Sequence, residues 1–135
     1  MISRSNTLFI TIKTSITHPA MPPKTLAIIS YPSFHPTTND PLTFNMSYYT
    51  STHMPLIERT WGPHGLRSWS MVQFPNPCPV TGKPPPYLVQ VTCHFDSLKD
   101  LQTALKLGGE ETKNDVERFS NIWPEFWVGH EEDRE

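Results

Sequence analysis

Little in this sequence supports the commoner classes of function. Its two cysteines, Cys78 and Cys93, are too few for a disulfide framework or a structural zinc site. They read as reduced thiols in an intracellular chain. No apolar run reaches the roughly 18 residues a membrane-spanning helix needs, so no membrane partner is expected. Basic residues are outnumbered, 11 Lys and Arg against 13 Asp and Glu. A net charge of −2 offers no dominant basic patch, which argues against nucleic acid as a partner. No GxGxxG, GxxxxGK[ST] or GxSxG pattern occurs, so dinucleotide binding, phosphate cradling and serine hydrolysis lack their usual carriers. HxxxH, CxxC and HxH are missing too, which removes the close ligand spacing that zinc prefers, and no metal site is expected. Proline is what the chain has in excess: 15 residues, placed mostly in two stretches that mark loops.

A chain of 135 residues makes one small domain, with or without a tail. A core of that size has thin margins, and dimerisation would help it. The first acidic residue is Asp40, and residues 1–20 are rich in Ser and Thr and free of acid. They read as a non-structural extension or a weak targeting segment. Met21 is the expected functional start, with a folded domain over 21–130 and an acidic tail over 131–135. The chain is expected in the cytoplasm, or in mitochondria if the extension acts as a transit peptide.

Residues 24–31, KTLAIISY, predict a first strand that Pro32 stops. Residues 44–61 predict a helix with Asn45 as N-cap, and Tyr49, His53, Leu56, Ile57 and Thr60 share one of its faces. Pro55 removes the hydrogen bond to the Ser51 carbonyl, which predicts a kink just after His53. Residues 65–74 predict a second strand, with Leu66, Ser68, Ser70 and Val72 on one face and Arg67, Trp69, Met71 and Gln73 on the other. Six prolines among residues 75–86 make a loop, and 87–95 predict a third strand. Its apolar face carries Tyr87, Val89, Val91, Cys93 and Phe95; Leu88, Gln90, Thr92 and His94 face the other way. A second helix is expected over 97–107, capped by Ser97 and ended by Gly108-Gly109, with Leu98, Leu101, Ala104, Leu105 and Leu107 as its stripe. Residues 110–118 read as a short surface helix or turn. Residues 119–129 read as a fourth, edge strand interrupted by Pro124. The order β-α-β-β-α-β is an α+β, ferredoxin-like antiparallel sheet with helices on one face. Its other face is left for a second subunit.

His53 is the first candidate for chemistry. An imidazole beside the phenol of Tyr49 can act as a general base near neutral pH, taking a proton from a phenol or an enolisable carbon. Its competing reading is structural, with the ring capping a carbonyl freed at the kink. Tyr48 and Tyr49 point to different faces, so one packs in the core and the other can orient a substrate carbonyl. Trp61 and Trp69 are suited to wall a flat substrate, or else to fill core or dimer contacts. His94 on the less apolar strand face and His64 in the Gly62-Pro63-His64-Gly65 turn are further substrate-binding candidates. Cys93, on an apolar strand face, reads as an inert thiol.

Three segments carry a resemblance: FNMSYYTSTHMPLIERTWGPHGLRSW, PYLVQVTCHFDSLKDLQTAL and NDVERFSNIWPEFWVG. They resemble the EthD family, named for a protein of ethyl tert-butyl ether degradation, within the dimeric α/β-barrel superfamily. Tyr48-Tyr49, His53-Met54-Pro55-Leu56 and Trp61-Gly62-Pro63 are the most specific pieces. The proline-rich stretch 75–86 is longer than a simple hairpin and could lid a pocket or cover an edge. The resemblance implies a homodimer whose two sheets form a barrel, with no metal and no tightly bound cofactor. It carries a broad oxidoreductase label and an expectation of pigment- or polyketide-type chemistry on a small apolar or aromatic molecule. Oxygenation, dehydration or a related step led by proton transfer would use His53 as base with Tyr49 assisting. The alternatives are a non-catalytic carrier of an apolar metabolite and a structural dimer in a larger assembly.

Overall fold

Four β-branched and aromatic runs, separated by two helical segments and one proline-rich loop, assemble in this computed structural model, which describes residues 24–132. The expected extension 1–20, the expected start at Met21 and tail residues 133–135 lie outside the described residues. Strand β1 is Lys24–Pro32, β2 is Leu66–Gln73, β3 is Tyr87–Phe95 and β4 is Glu125–Glu131. They form one antiparallel sheet in the order β2-β3-β1-β4. Helix α1 has three parts: an α turn Met46–Tyr48, a π segment Tyr49–His53 and an α segment Met54–Trp61. Helix α2 is Leu98–Asn114. The β-α-β-β-α-β order and the ferredoxin-like sheet are as expected.

The period of two along the strands sorts the sheet into a buried and an open face. Thr25, Ala27, Ile29 and Tyr31 of β1 stand opposite Phe95, Cys93, Val91 and Val89 of β3, and all are buried. On the open face Ile28 and Thr92 are half-buried, while Val72 and Trp127 are exposed. An irregularity between Leu66 and Ser68 corrects one expectation: Leu66 pairs with Phe95 and packs on the core, on the side opposite Ser68.

Helix α1 starts where Asn45 accepts a hydrogen bond from the Tyr48 amide at 3.0 Å. The irregularity falls before His53 rather than just after it: it is the π segment Tyr49–His53, closed by the Met54 amide bonding the Tyr49 carbonyl, and regular α-helix follows from Met54. Pro55 has no N–H to donate, so a wider turn before it leaves fewer carbonyls short of a partner.

Helix α2 differs most from expectation. Ser97 caps it as predicted, accepting from the Asp100 amide at 3.1 Å. Gly108 and Gly109 do not end it; the helix runs on to Asn114 and absorbs most of the expected separate surface element. Its buried stripe is Leu101, Ala104, Gly108 and Thr112, whereas Leu98, Leu105 and Leu107 are exposed. The reason is close packing on α1: a Cβ at Gly108 would lie 2.9 Å from the Thr60 Cβ and 3.3 Å from the Trp61 Cδ1. Gly108→Ala is therefore expected to destabilise by about 1–2 kcal/mol, overpacking outweighing the helix-propensity gain of about 1 kcal/mol. Gly109→Ala meets only ordinary contacts at 3.8 Å or more and should stabilise by about 0.5–1 kcal/mol. Urea unfolding of the two variants checks the opposite signs.

The final strand is also shorter than expected. Residues 119–124 make the approach to β4, and Phe119 is buried in the core rather than in an edge strand. Loop 75–86 contains no helix or strand, and Ser33 donates to the Pro85 carbonyl at 2.6 Å.

Candidate active site

Helix α1 and the C-cap residue of α2, Asp115, bring three polar groups together. His53 is 4% exposed, and its Nδ1 lies 2.9 Å from Asp115 Oδ2. A carboxylate can only accept, so Nδ1 carries the proton and Nε2 is left as the basic nitrogen. Nε2 has no hydrogen-bond partner among the described residues, and the ring forms part of a pocket wall. The other carboxylate oxygen of Asp115 accepts the Tyr48 hydroxyl at 2.7 Å, and the Arg118 Nε stands 3.5 Å from it. Asp115 is thus held from three directions, which fixes the direction of the His53 ring.

Aromatic rings complete the support. Tyr49 stacks on the imidazole with centroids 5.4 Å apart, and Phe119 meets it at 4.5 Å. Tyr49 itself is 1% exposed, and burial raises its phenol pKa strongly, so it stays protonated.

The pocket beside His53 has a volume of about 410 Å³ and mostly apolar walls. Ile29, Ile57, Trp61 and Phe126 are among them, and Lys113, whose Nζ lies 6.0 Å from the Trp123 ring, adds a cation. None of residues 75–86 lines this pocket, so the proline-rich loop is no lid to it.

Burial lowers the His53 pKa below its ordinary value of 6.5, and the bond to Asp115 partly offsets that. The ring is therefore neutral at pH 7. With the native value below the unfolded one, the unfolded chain binds more protons as the pH falls. The stability tied to neutral His53 is present above about pH 6.5 and lost as pH falls through the lower native value. His53→Gln should flatten this part of the stability curve, read by urea unfolding between pH 7 and pH 5.

The sequence candidates separate into two groups. Tyr48, Tyr49, His53 and Trp61 all come from α1: Tyr48 and His53 bond the carboxylate, His53 and Trp61 line the pocket, and Tyr49 stacks on the His53 ring. Trp69 instead donates its indole N–H to Glu58 Oε2 at 2.8 Å, and His64 sits in the 3-10 turn Gly62–His64. His94 lies on the open sheet face opposite Ser68. None of these three lines the pocket. Asp115 went unseen because its polar surroundings read as a surface segment. Carrying the buried period 101, 104, 108 and 112 onward reaches positions 115 and 116, the one signal available. Cys93 is buried, its thiol pushed up to about 12 by desolvation, in keeping with an inert role. Among the described residues no group of three or more His, Cys, Asp or Glu is placed to hold a metal ion. No helix among them is long and apolar enough to cross a membrane.

The sheet order and the one-sided helices define an α+β, ferredoxin-like domain. Among solved structures it is similar to an EthD-like protein from Ralstonia eutropha JMP134, with 19% identity and a TM-score of 0.66 over 79% of this chain and 90% of that one. It is also similar to an ethyl tert-butyl ether (EthD) family protein from Bacillus halodurans C-125, with 18% identity and a TM-score of 0.56 over 82% of this chain and 99% of that one. The chain thus has the EthD-type fold that the sequence resemblance implies. No protein-family model and no curated protein matches the sequence.

Proposed function

We propose that this chain is an EthD-type enzyme that begins its reaction by removing a proton from a small apolar, aromatic or polyketide-like molecule. The observation that carries the reading is the His53–Asp115 pair at 2.9 Å, with the second imidazole nitrogen free beside an apolar pocket. In this reading His53 Nε2 is the general base, Asp115 holds the tautomer and stabilises the imidazolium, and Tyr48 orients Asp115. Tyr49 packs the ring in place. The apolar wall disfavours charge on His53 before substrate arrives, which keeps the base unprotonated at neutral pH. Oxygenation, dehydration or a tautomeric shift can each follow from the carbanion or phenolate so formed.

The same reading has two chains pairing through their open sheet faces into a barrel. Its support is the exposed Trp127 and Val72 on a face that no helix covers. Proton abstraction is tested by deuterium exchange into enolisable bicyclic ketones in D2O, with 2-tetralone first, followed by proton NMR. Exchange well above the buffer rate is expected. Exchange at the buffer rate across the set removes the base role.

A further inference from the structure

We propose that Lys113 makes this pocket a site for carboxylates: its ammonium holds a carboxylate at the mouth while the apolar body of the molecule reaches toward His53. The substrate class is then an apolar or aromatic keto acid. The proton-removal half of this assignment rests on the reading of His53 as base, whereas the carboxylate contact is read by binding alone.

The charges of the pocket wall point this way. Among the described residues that line it there is no Asp or Glu, and with His53 neutral the one full charge is that of Lys113. The wall's hydroxyls are already committed. Thr112 donates to the Gly108 and Gly109 carbonyls, at 3.2 and 2.9 Å, and the Tyr31 hydroxyl has Tyr49 as its hydrogen-bonding neighbour. A surface lysine is commonly paired by carboxylates one turn away on its own helix. Glu110 and Glu117, three residues before and four after, have that spacing. Yet among the described residues no carboxylate lies within 4.0 Å of the Lys113 ammonium. Its Nζ stands instead 6.0 Å from the centre of the Trp123 ring, another member of the wall. A ring face attracts an ammonium without neutralising it and leaves N–H donors for an incoming acceptor.

Burial orders the wall from inside to outside. His53 and Ile57 are buried, whereas Leu105, Lys113, Trp123 and Phe126 are exposed and form the mouth. A carboxylate at the mouth keeps part of its surface in water, so it escapes most of the desolvation cost that a buried ion pair carries. The apolar body behind it covers apolar wall. One ammonium matches one negative charge. A phosphate monoester, with about −1.5 to −2 charge at neutral pH, would leave charge uncompensated beside that wall, which selects the carboxylate. In the reaction a C–H bond next to the ketone breaks. The proton goes to His53 Nε2, and the electron pair moves into the carbonyl to give an enolate. The carboxylate takes no part in that step, which needs no oxidant or reductant.

Two acid–amide pairs test this on the full chain: 1-tetralone-6-carboxylate and 4-oxo-4-phenylbutanoate, each titrated against its own carboxamide, which keeps the shape and loses the charge. At pH 7 and low salt each acid should bind about fivefold tighter than its amide, the upper end for a solvent-exposed ion pair. Salt at about 1 M should erase the difference. Lys113→Met should bring acid and amide to about the same affinity, and Lys113→Glu should invert their order. Lys106→Met removes an exposed cation of the same helix that is not on the pocket wall, and should leave the preference as it is. Lys113 also stands in the last turn of α2, where a cation favours the helix end. A role confined to that would lower the urea midpoint of Lys113→Met and leave the acid preference intact. Equal affinities in the unaltered protein, a preference that survives Lys113→Met or falls equally in Lys106→Met, or no saturable binding of either acid overturns the assignment. The base reading is tested apart from it. In D2O the acids should exchange the protons next to the ketone, with Lys113→Met raising KM and leaving kcat unchanged. Exchange at the buffer rate with the acid preference intact overturns the keto-acid half and leaves the carboxylate contact standing.

Discussion

Replacing His53 with Gln should return ketone exchange to the buffer rate, a loss of about 10²–10⁴-fold, the usual worth of a positioned base. Glutamine keeps the volume and can still bond Asp115, so the fold should survive, which circular dichroism can check. Asp115→Asn should approach the same loss by another route. An amide can accept from Nδ1–H or donate to a bare Nδ1, and the second arrangement puts the proton on Nε2, where it blocks the base. The carboxylate's contribution holds the His53 pKa up against burial, so its removal should lower that pKa further. The imidazolium formed in the reaction would then lie buried without a counter-charge. Exchange rates and the pH at which they half-saturate give both effects. Wild-type exchange in Asp115→Asn would show that the pair is structural.

Phe119→Ala is expected to cost about 3–5 kcal/mol, a large share of a small domain's stability. Phe119 is 3% exposed and meets Tyr31, Phe44, Tyr49 and His53 with ring centroids 4.5 to 5.8 Å apart. Removing it takes away both buried area and a ring partner of all four at once, edge-to-face for Tyr31, Phe44 and Tyr49 and tilted for His53. Because one of those rings is His53, exchange should fall in protein that is still folded. Phe126→Ala makes the control: Phe126 is 39% exposed, so its loss should cost under about 1 kcal/mol. Equal urea midpoints for the two variants would show that the aromatic cluster does not hold this core together.

Residues close in sequence carried most of what the sequence made legible. Asn45 and Ser97 cap helices because short polar side chains reach amides three residues on. The alternation in 87–95 announced a half-buried strand. Pro55 signalled an irregular turn, since a missing N–H must be felt one turn earlier. The sequence could not say what that turn would become, because the π segment depends on how α1 packs as well as on the proline. Gly108-Gly109 misled for the same reason: glycine favours a helix end locally, yet the close approach of Thr60 and Trp61 needs a residue without a Cβ inside the helix.

From the sequence alone came the α+β order, the α1 segment that carries Tyr48, Tyr49, His53 and Trp61, and the absence of common metal and nucleotide motifs. These follow from local spacing, which a linear chain displays. Tertiary structure alone decided that Asp115, 62 residues from His53, supplies the carboxylate, and that His64, Trp69 and His94 stand away from the pocket. It also left the Trp61 N–H without a partner. Those outcomes depend on which surfaces meet when α1, α2 and the sheet close around one core, and no period along the chain records them.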